Sequence, residues 1–215
     1  MLFCSIDSAA PDWKYGRLRQ DKGLVGLPSL AFLDADGEVL VQVPVRERTV
    51  EGFQRTLRRS QEYVRLRAAA AAGDHDAAAR FLLMQLEEHR LADSDARARR
   101  AALDPKLEPE LLARIDLLLL DLEVSAAVQK AGQTGRSALG PRFLAMLRDG
   151  PRPSPHVTRG FWFAILEWAE RERDAEAFAE GLAGMGRALR VTDPDATWVP
   201  GLLGRYEDTL AKLRK

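Results

Sequence analysis

The chain has 215 residues, with 32 Lys and Arg against 32 Asp and Glu, so its formal net charge is zero. Such a chain has no bulk electrostatic attraction to nucleic acid or to an anionic membrane, and its apolar runs fall short of the ~20 residues that cross a bilayer. Its hydrophobic content of 46% is enough for a sizeable core. Its single cysteine, Cys4, excludes an internal disulfide, a two-cysteine redox motif and a cysteine-based zinc site within this chain.

The first part of the chain carries strand and tight-turn signals. Residues 2–7 (LFCSID) are apolar and β-forming and predict a strand, while residues 12–23 (DWKYGRLRQDKG) predict a short surface helix. Residues 29–33 and 38–43 flank a DADG sequence at residues 34–37, in which Asp and Gly tolerate positive φ angles. This pattern predicts an antiparallel hairpin.

A helix is predicted after the hairpin. Thr49 is a good N-cap residue, and Val50, Phe53, Leu57 and Val64 recur at helical spacing. Arginines and glutamates fill the remaining positions. We expect this helix to pack on the hairpin.

From Arg67 onward the sequence is Ala-rich and predicts five or six helices. Residues 109–130 give the strongest pattern, with a broad leucine stripe typical of a helix central to a bundle. Residues 161–168 (FWFAILEW) are apolar nearly all round, which indicates a core helix or, alternatively, a partner groove. The helices predicted at residues 174–189 and 196–213 are amphipathic and would wrap it. Predicted breaks lie at residues 73–74, 104–105, 132–140, 150–155 and 193–194.

Residues 70–87 (AAAGDHDAAARFLLMQLE) resemble the junction of a tetratricopeptide-type helical hairpin. Gly73-Asp74 would form the turn, with Ala78, Phe81 and Leu82 packing inward. A looser copy lies at residues 172–182, but no 34-residue period links the two. The sequence therefore indicates a bundle or degenerate helical hairpins.

Residues 25–37 (VGLPSLAFLDADG) resemble the segment of thioredoxin-fold proteins that carries the cis-proline and the hairpin that follows it. Residues 1–67 would then be the second half of such a domain, and the resemblance implies a peptide-binding loop at Gly26, Leu27, Pro28 and Ser29. A cis bond is accessible to proline because its tertiary amide lowers the cost of that isomer. The alternative is a trans Pro28 that starts an edge strand.

Two features depart from the thioredoxin pattern. Residues 17–24 are extra sequence before the proline loop, and the half of the domain with the Cys-x-x-Cys motif is absent. The absent half includes the strand that lies between those corresponding to residues 2–7 and 29–33. Its loss leaves either unpaired backbone groups or a new strand pairing. The predicted fold class is thus α/β then all-α: a partial thioredoxin-like sheet at residues 1–67, followed by an α-helical domain at residues 68–215.

No catalytic residue, metal ligand or cofactor is assigned. Cys4 lies in a predicted strand, where a small buried side chain is the simpler interpretation. The histidines are scattered, DADG lacks the remaining ligands of a calcium loop, and residues 181–186 (GLAGMG) indicate close helix packing or a frayed end rather than a phosphate loop. The arginine clusters at residues 55–67 and 97–100 lie among acidic residues, which favours solvated helix faces.

These observations predict a protein- or peptide-binding module or scaffold, or a self-associating chain, without its own redox motif. Neither nucleic acid nor a membrane is an expected partner. The alternative is a truncated thiol-disulfide oxidoreductase whose Cys-x-x-Cys lies upstream of Met1. The expected location is the cytoplasm by default, or outside it if the true start lies upstream.

Overall fold

We describe a computed structural model of the chain, covering residues 2–5, 22, 29–192 and 195–215. It is mainly helical with one small sheet, as predicted for most of the chain. The strands are β1 (Leu2–Ser5), β2 (Ser29–Leu33) and β3 (Val39–Gln42). The α-helices are α1 (Val50–Ala71), α2 (His75–Glu87), α3 (Asp93–Ala101), α4 (Pro109–Gly135), α5 (Gly140–Asp149), α6 (Thr158–Glu172), α7 (Ala175–Thr192) and α8 (Trp198–Leu213). The helix predicted at residues 12–23 lies largely outside the described residues.

The described strands form an antiparallel sheet in the order β1-β2-β3. β1 pairs directly with β2, with Phe3 opposite Ala31. The loss of the central strand allowed either unpaired backbone groups or a new strand pairing, and the structure shows the new pairing. The predicted hairpin between β2 and β3 is confirmed. On β3, the carbonyl oxygens of Val39 and Leu40 accept hydrogen bonds from the Arg90 guanidinium, at 3.0 Å for Leu40. β3 is an outer strand of the described sheet, and Arg90 supplies side-chain donors to two of its carbonyl oxygens.

Helix α1 begins as predicted but buries a different face. Thr49 Oγ1 accepts from the Gly52 amide at 3.1 Å, which confirms the N-cap, and α1 packs on β3 and β2. The predicted apolar stripe is wrong, because Val50, Leu57 and Val64 are 70%, 44% and 39% exposed. The buried residues of α1 are Gly52, Thr56, Ser60, Tyr63 and Leu66.

Three of the five buried residues of α1 are small, and two of them are polar. A Cβ at position 52 would overlap the carbonyl of Glu47, so only glycine permits this approach. The hydroxyls of Thr56 and Ser60 donate to the carbonyl oxygens of residues 52 and 56, each at 2.9 Å. Their burial therefore leaves no unsatisfied polar group, and a polar residue can replace an apolar one at little cost.

Two helical hairpins, α1–α2 and α6–α7, have the same turn. In each, a residue with positive φ, Gly73 (93°) or Arg173 (57°), precedes an aspartate. The carboxylates of Asp74 and Asp174 accept from the amide three residues later, at 3.0 and 2.9 Å. Their own amides donate to the carbonyl five residues earlier, at 3.1 and 2.9 Å. Both hairpins that the sequence indicated are thus present, with Leu82 buried and Ala78 and Phe81 half-buried.

The contacts divide the chain into two compact units, residues 1–115 and 116–215. The division falls within α4, whose buried Leu111 and Ile115 belong to the first unit and whose buried Leu119 and Val124 belong to the second. The boundary predicted at 67/68 lies inside α1. Both α1 and α2 belong to the first unit, where they pack against each other.

The second unit is built around α6. Its residues Phe161, Ile165 and Leu166 are fully buried, which confirms that the FWFAILEW segment is core. Phe161 stacks on Phe143 of α5, with ring centroids 4.8 Å apart. Helix α7 packs along α6, and α8 packs on α7.

Glycines allow α7 to approach α6 closely. A Cβ at Gly184 would overlap the ring of Trp162, and a Cβ at Gly181 would lie 2.9 Å from Ile165. The interpretation of residues 181–186 as a close helix contact is therefore confirmed. In contrast, a Cβ at Gly204 of α8 would have no heavy atom within 4 Å.

We therefore expect Gly184→Ala to lower the free energy of unfolding by about 1–3 kcal/mol, because the new methyl group forces the indole of Trp162 to move. Urea denaturation measures this effect. The matched control, Gly204→Ala, should be neutral or stabilise the chain by up to about 1 kcal/mol, because alanine loses less backbone entropy in a helix. Equal destabilisation by both substitutions would contradict the packing argument.

Candidate functional site

The site predicted from the thioredoxin resemblance falls mostly outside the described residues. This holds for Gly26, Leu27 and Pro28, so the peptide-binding loop and the cis bond stay predictions. Ser29 is the first residue of β2, and its side chain is fully buried. Cys4 lies in β1, the first strand expected from the sequence.

The described histidines and acids form no metal centre. His75 and His89 are exposed, and within the ranges that the structure describes no three His, Cys, Asp or Glu side chains are grouped in a way that could hold an ion. Several arginines of the two clusters pair with acids: Arg65 with Glu62 at 2.6 Å, and Arg97 with Asp93 at 2.9 Å. These pairs lie on exposed helix faces, as the sequence indicated.

The first unit contains a cleft between α1, α2 and α3, which we call the hairpin cleft. Its volume is about 410 Å³, within the range of ligand-binding clefts. Alanines, Leu82 and Leu103 form much of its apolar surface, to which Phe81 adds an aromatic ring. The polar side chains that line it are Arg67, His75, Gln85 and Arg99.

A hydrogen-bonded chain positions the buried side of the hairpin cleft. Arg99 Nη1 donates to Gln85 Oε1 at 2.6 Å, and Gln85 Nε2 donates to Tyr63 Oη at 3.5 Å. The Tyr63 ring meets Phe81 edge-on at 5.0 Å, and the Arg90 guanidinium lies 5.4 Å from its centroid. Gln85 and Tyr63 are buried, so the hydrogen bond to Gln85 restricts the position of the Arg99 guanidinium.

The charge of Arg99 is not neutralised by its partner. Gln85 is an uncharged amide, and among the residues that the structure describes no carboxylate forms an ion pair with Arg99. A guanidinium presents five N–H donors in a planar fork, which matches a carboxylate. The hairpin cleft therefore offers a fixed cation beside an apolar surface.

Arg67, the other arginine of the hairpin cleft, is tied to the β2–β3 turn. Its Nη1 lies 3.2 Å from Asp34 Oδ2. The other oxygen of Asp34 accepts from the amides of Glu38 at 2.9 Å and Asp36 at 3.0 Å. Hydrogen bonds from the Glu38 amide and from Arg67 hold the pKa of Asp34 below its ordinary value.

The sequence assigned Arg99 to a solvated helix face together with its neighbours, and Arg99 is exposed in the structure while it also lines the hairpin cleft. Residues two apart on a helix point about 200° away from each other, so Arg97 and Arg99 cannot share one face of α3. Asp93 precedes Arg97 by four residues and Asp95 precedes Arg99 by four, so spacing alone does not distinguish the two arginines; in the structure Arg97 pairs with Asp93, whereas Arg99 bonds to Gln85. No sequence pattern identifies Gln85 as the partner of Arg99, because the two residues become neighbours only in the folded chain.

Comparisons with protein-family models, with curated proteins and with solved structures found no match. A search of the helices within the described ranges found none with the length and apolar character of a bilayer-spanning segment.

We expect Arg67→Gln to raise the pKa of Asp34 without restoring its ordinary value, because the backbone amides of Glu38 and Asp36 still stabilise the carboxylate. An NMR titration of the Asp34 side-chain carbon measures this pKa. The control, Arg58→Gln, removes an exposed arginine of the same helix and should leave the titration unchanged.

The sign of the pH dependence follows from this lowered pKa. The stability that Asp34 contributes is present above the pKa of an unfolded aspartate, about 3.9, and is lost as the pH falls through the lower folded value. A full return of the Asp34 pKa to its ordinary value in Arg67→Gln would show that the guanidinium, and not the turn, controls it.

Proposed function

We propose that this chain is a protein-binding module whose hairpin cleft takes an acidic, partly apolar peptide segment. The observation that carries the proposal is the guanidinium of Arg99, which is hydrogen-bonded to the buried Gln85 and forms no ion pair with an acid of the described chain, beside the apolar surface of a cleft of about 410 Å³. A carboxylate of a partner would supply the missing counter-charge, and its apolar neighbours would cover Phe81 and Leu82.

The energetics favour an acidic partner over a neutral one. A hydrogen bond with a charged group contributes about 1.5–3 kcal/mol, roughly twice a neutral bond. Holding Arg99 in place before binding reduces the entropy that the complex must lose. Arg67 also lines the cleft but is paired with Asp34, so Arg99 is the cation that selects the charge of the partner.

The proposal includes a thioredoxin-like origin for residues 1–67, without a redox motif of their own. The order strand, antiparallel hairpin, helix on the hairpin supports it, as does the tight DADG turn. In this proposal Gly26, Leu27, Pro28 and Ser29 form a second peptide contact, in which an extended partner pairs with the backbone of the loop.

Arg99→Gln should weaken the binding of a short synthetic peptide of alternating leucine and glutamate by about tenfold or more, because one charge-assisted hydrogen bond is lost. Fluorescence anisotropy with a labelled peptide measures the affinity. A peptide with lysine in place of glutamate should bind neither protein.

The matched control is Arg97→Gln on the same helix, where the arginine pairs with Asp93 outside the hairpin cleft. It removes the same charge from α3 and should change the affinity less than twofold. Equal weakening by the two variants would indicate a general charge effect and would overturn the assignment of the cleft.

The absence of a second cysteine predicts that this chain has no dithiol activity. A lone thiol can form a mixed disulfide but has no neighbour in the chain to resolve it. In an insulin-reduction assay, the 215-residue chain should show the same rate as its Cys4→Ser variant. A faster rate for the unsubstituted chain would refute this part of the proposal.

A further inference from the structure

The second unit contains a separate cavity between α6, α7 and α8, with a volume of about 230 Å³. Phe163 of α6, Met185 and Leu189 of α7 and Leu202 of α8 form its walls. Met185 and Leu189 are buried. The interior is therefore apolar and supported by core residues on one side.

The remaining lining residues are an aromatic ring and two cations. Trp198, the first residue of α8, is 43% exposed although it is the largest side chain at the cavity. The Arg159 guanidinium lies 4.7 Å from the centroid of its ring. Arg205, one turn further along α8 than Leu202, is exposed, and no described carboxylate forms an ion pair with it.

We propose that this cavity binds a small organic carboxylate that carries an aromatic ring or a short alkyl chain. The size fits, because an apolar cavity of about 150 Å³ in another protein holds benzene, and this one is somewhat larger. The apolar part would lie against Phe163 and Leu189. The carboxylate would lie beside Arg205.

The charges select the ligand class. A guanidinium binds a carboxylate through two parallel hydrogen bonds, which a neutral amide cannot fully replace. An amine of the same shape would meet the like charge of Arg205. An apolar molecule without a charge would fill the interior but leave Arg205 without an anionic partner.

The probe for this proposal is 3-phenylpropionate. It should quench tryptophan fluorescence with a saturable curve and a dissociation constant on the order of 1 mM, which is the affinity expected of a fragment of this size. The neutral amide 3-phenylpropionamide should bind about tenfold more weakly, and 3-phenylpropylamine should not bind. Equal affinities for the acid and the amide would overturn the assignment of a carboxylate.

Arg205→Gln should reduce the affinity for 3-phenylpropionate to about that for the amide. This residue is exposed, so the substitution should not impair folding. Arg214→Gln, a change of the same kind at the end of α8, is the matched control and should leave the affinity unchanged. If Arg205→Gln binds as tightly as the unsubstituted chain, the proposal is wrong.

Two further variants locate the probe. Trp198→Phe should remove most of the fluorescence response while calorimetry still detects binding, because the reporter ring lies at the cavity. Leu202→Phe should fill the interior and prevent binding while circular dichroism shows a folded chain. Binding that survives the filled cavity, or no saturable response in the unsubstituted chain, would show that the ligand site is not here.

Discussion

Several helices of the described chain approach a neighbouring helix through a glycine. Gly181 and Gly184 of α7 lie against α6, and Gly140 of α5 lies against Trp168 of the same helix. A close approach increases the number of atoms in van der Waals contact, and the large side chains opposite, such as Trp162, occupy the space that the missing Cβ atoms leave. Gly181 and Gly184 lie three positions apart and so share one face of α7, which fixes the rotation of this helix about its axis.

The rotation of the helices decides where their charges lie. On α3, the face turned toward α2 carries Arg99, and the opposite face carries Arg97 with its Asp93 partner. The chain has no net charge, yet one guanidinium is neutralised on the surface and the other lies in a cleft beside a neutral amide. A zero net charge therefore does not determine the local potential at a cleft, which depends on the charged groups that border it.

Local signals in the sequence predicted local structure. The DADG hairpin turn, the Thr49 cap and the two aspartate-capped helix turns each depend on residues within five positions of one another. The FWFAILEW helix was also recognisable, because a helix that is apolar on all sides has no solvent face. The buried face of α1 was not predictable in this way. Counting apolar residues favoured Val50, Leu57 and Val64, whereas the buried face includes Thr56 and Ser60, whose hydroxyls are satisfied within the helix. The hairpin cleft was missed for the same reason, since Gln85 and Arg99 become neighbours only when α3 packs on α2.

The hairpin cleft and the cavity of the second unit lie in similar positions relative to a helical hairpin. In the first unit, the hairpin α1–α2 is followed by α3, which packs on α2; in the second, the hairpin α6–α7 is followed by α8, which packs on α7. Each cavity lies where the third helix meets the hairpin, and each has an arginine from the first helix and one from the third: Arg67 and Arg99, then Arg159 and Arg205. A third helix that packs mainly on the second leaves a gap beside the first. Arginine side chains can border such a gap because their apolar stems pack against the helices while their charged ends reach water. The shared feature is thus a consequence of hairpin geometry, and it requires neither a sequence period nor similarity between the two units.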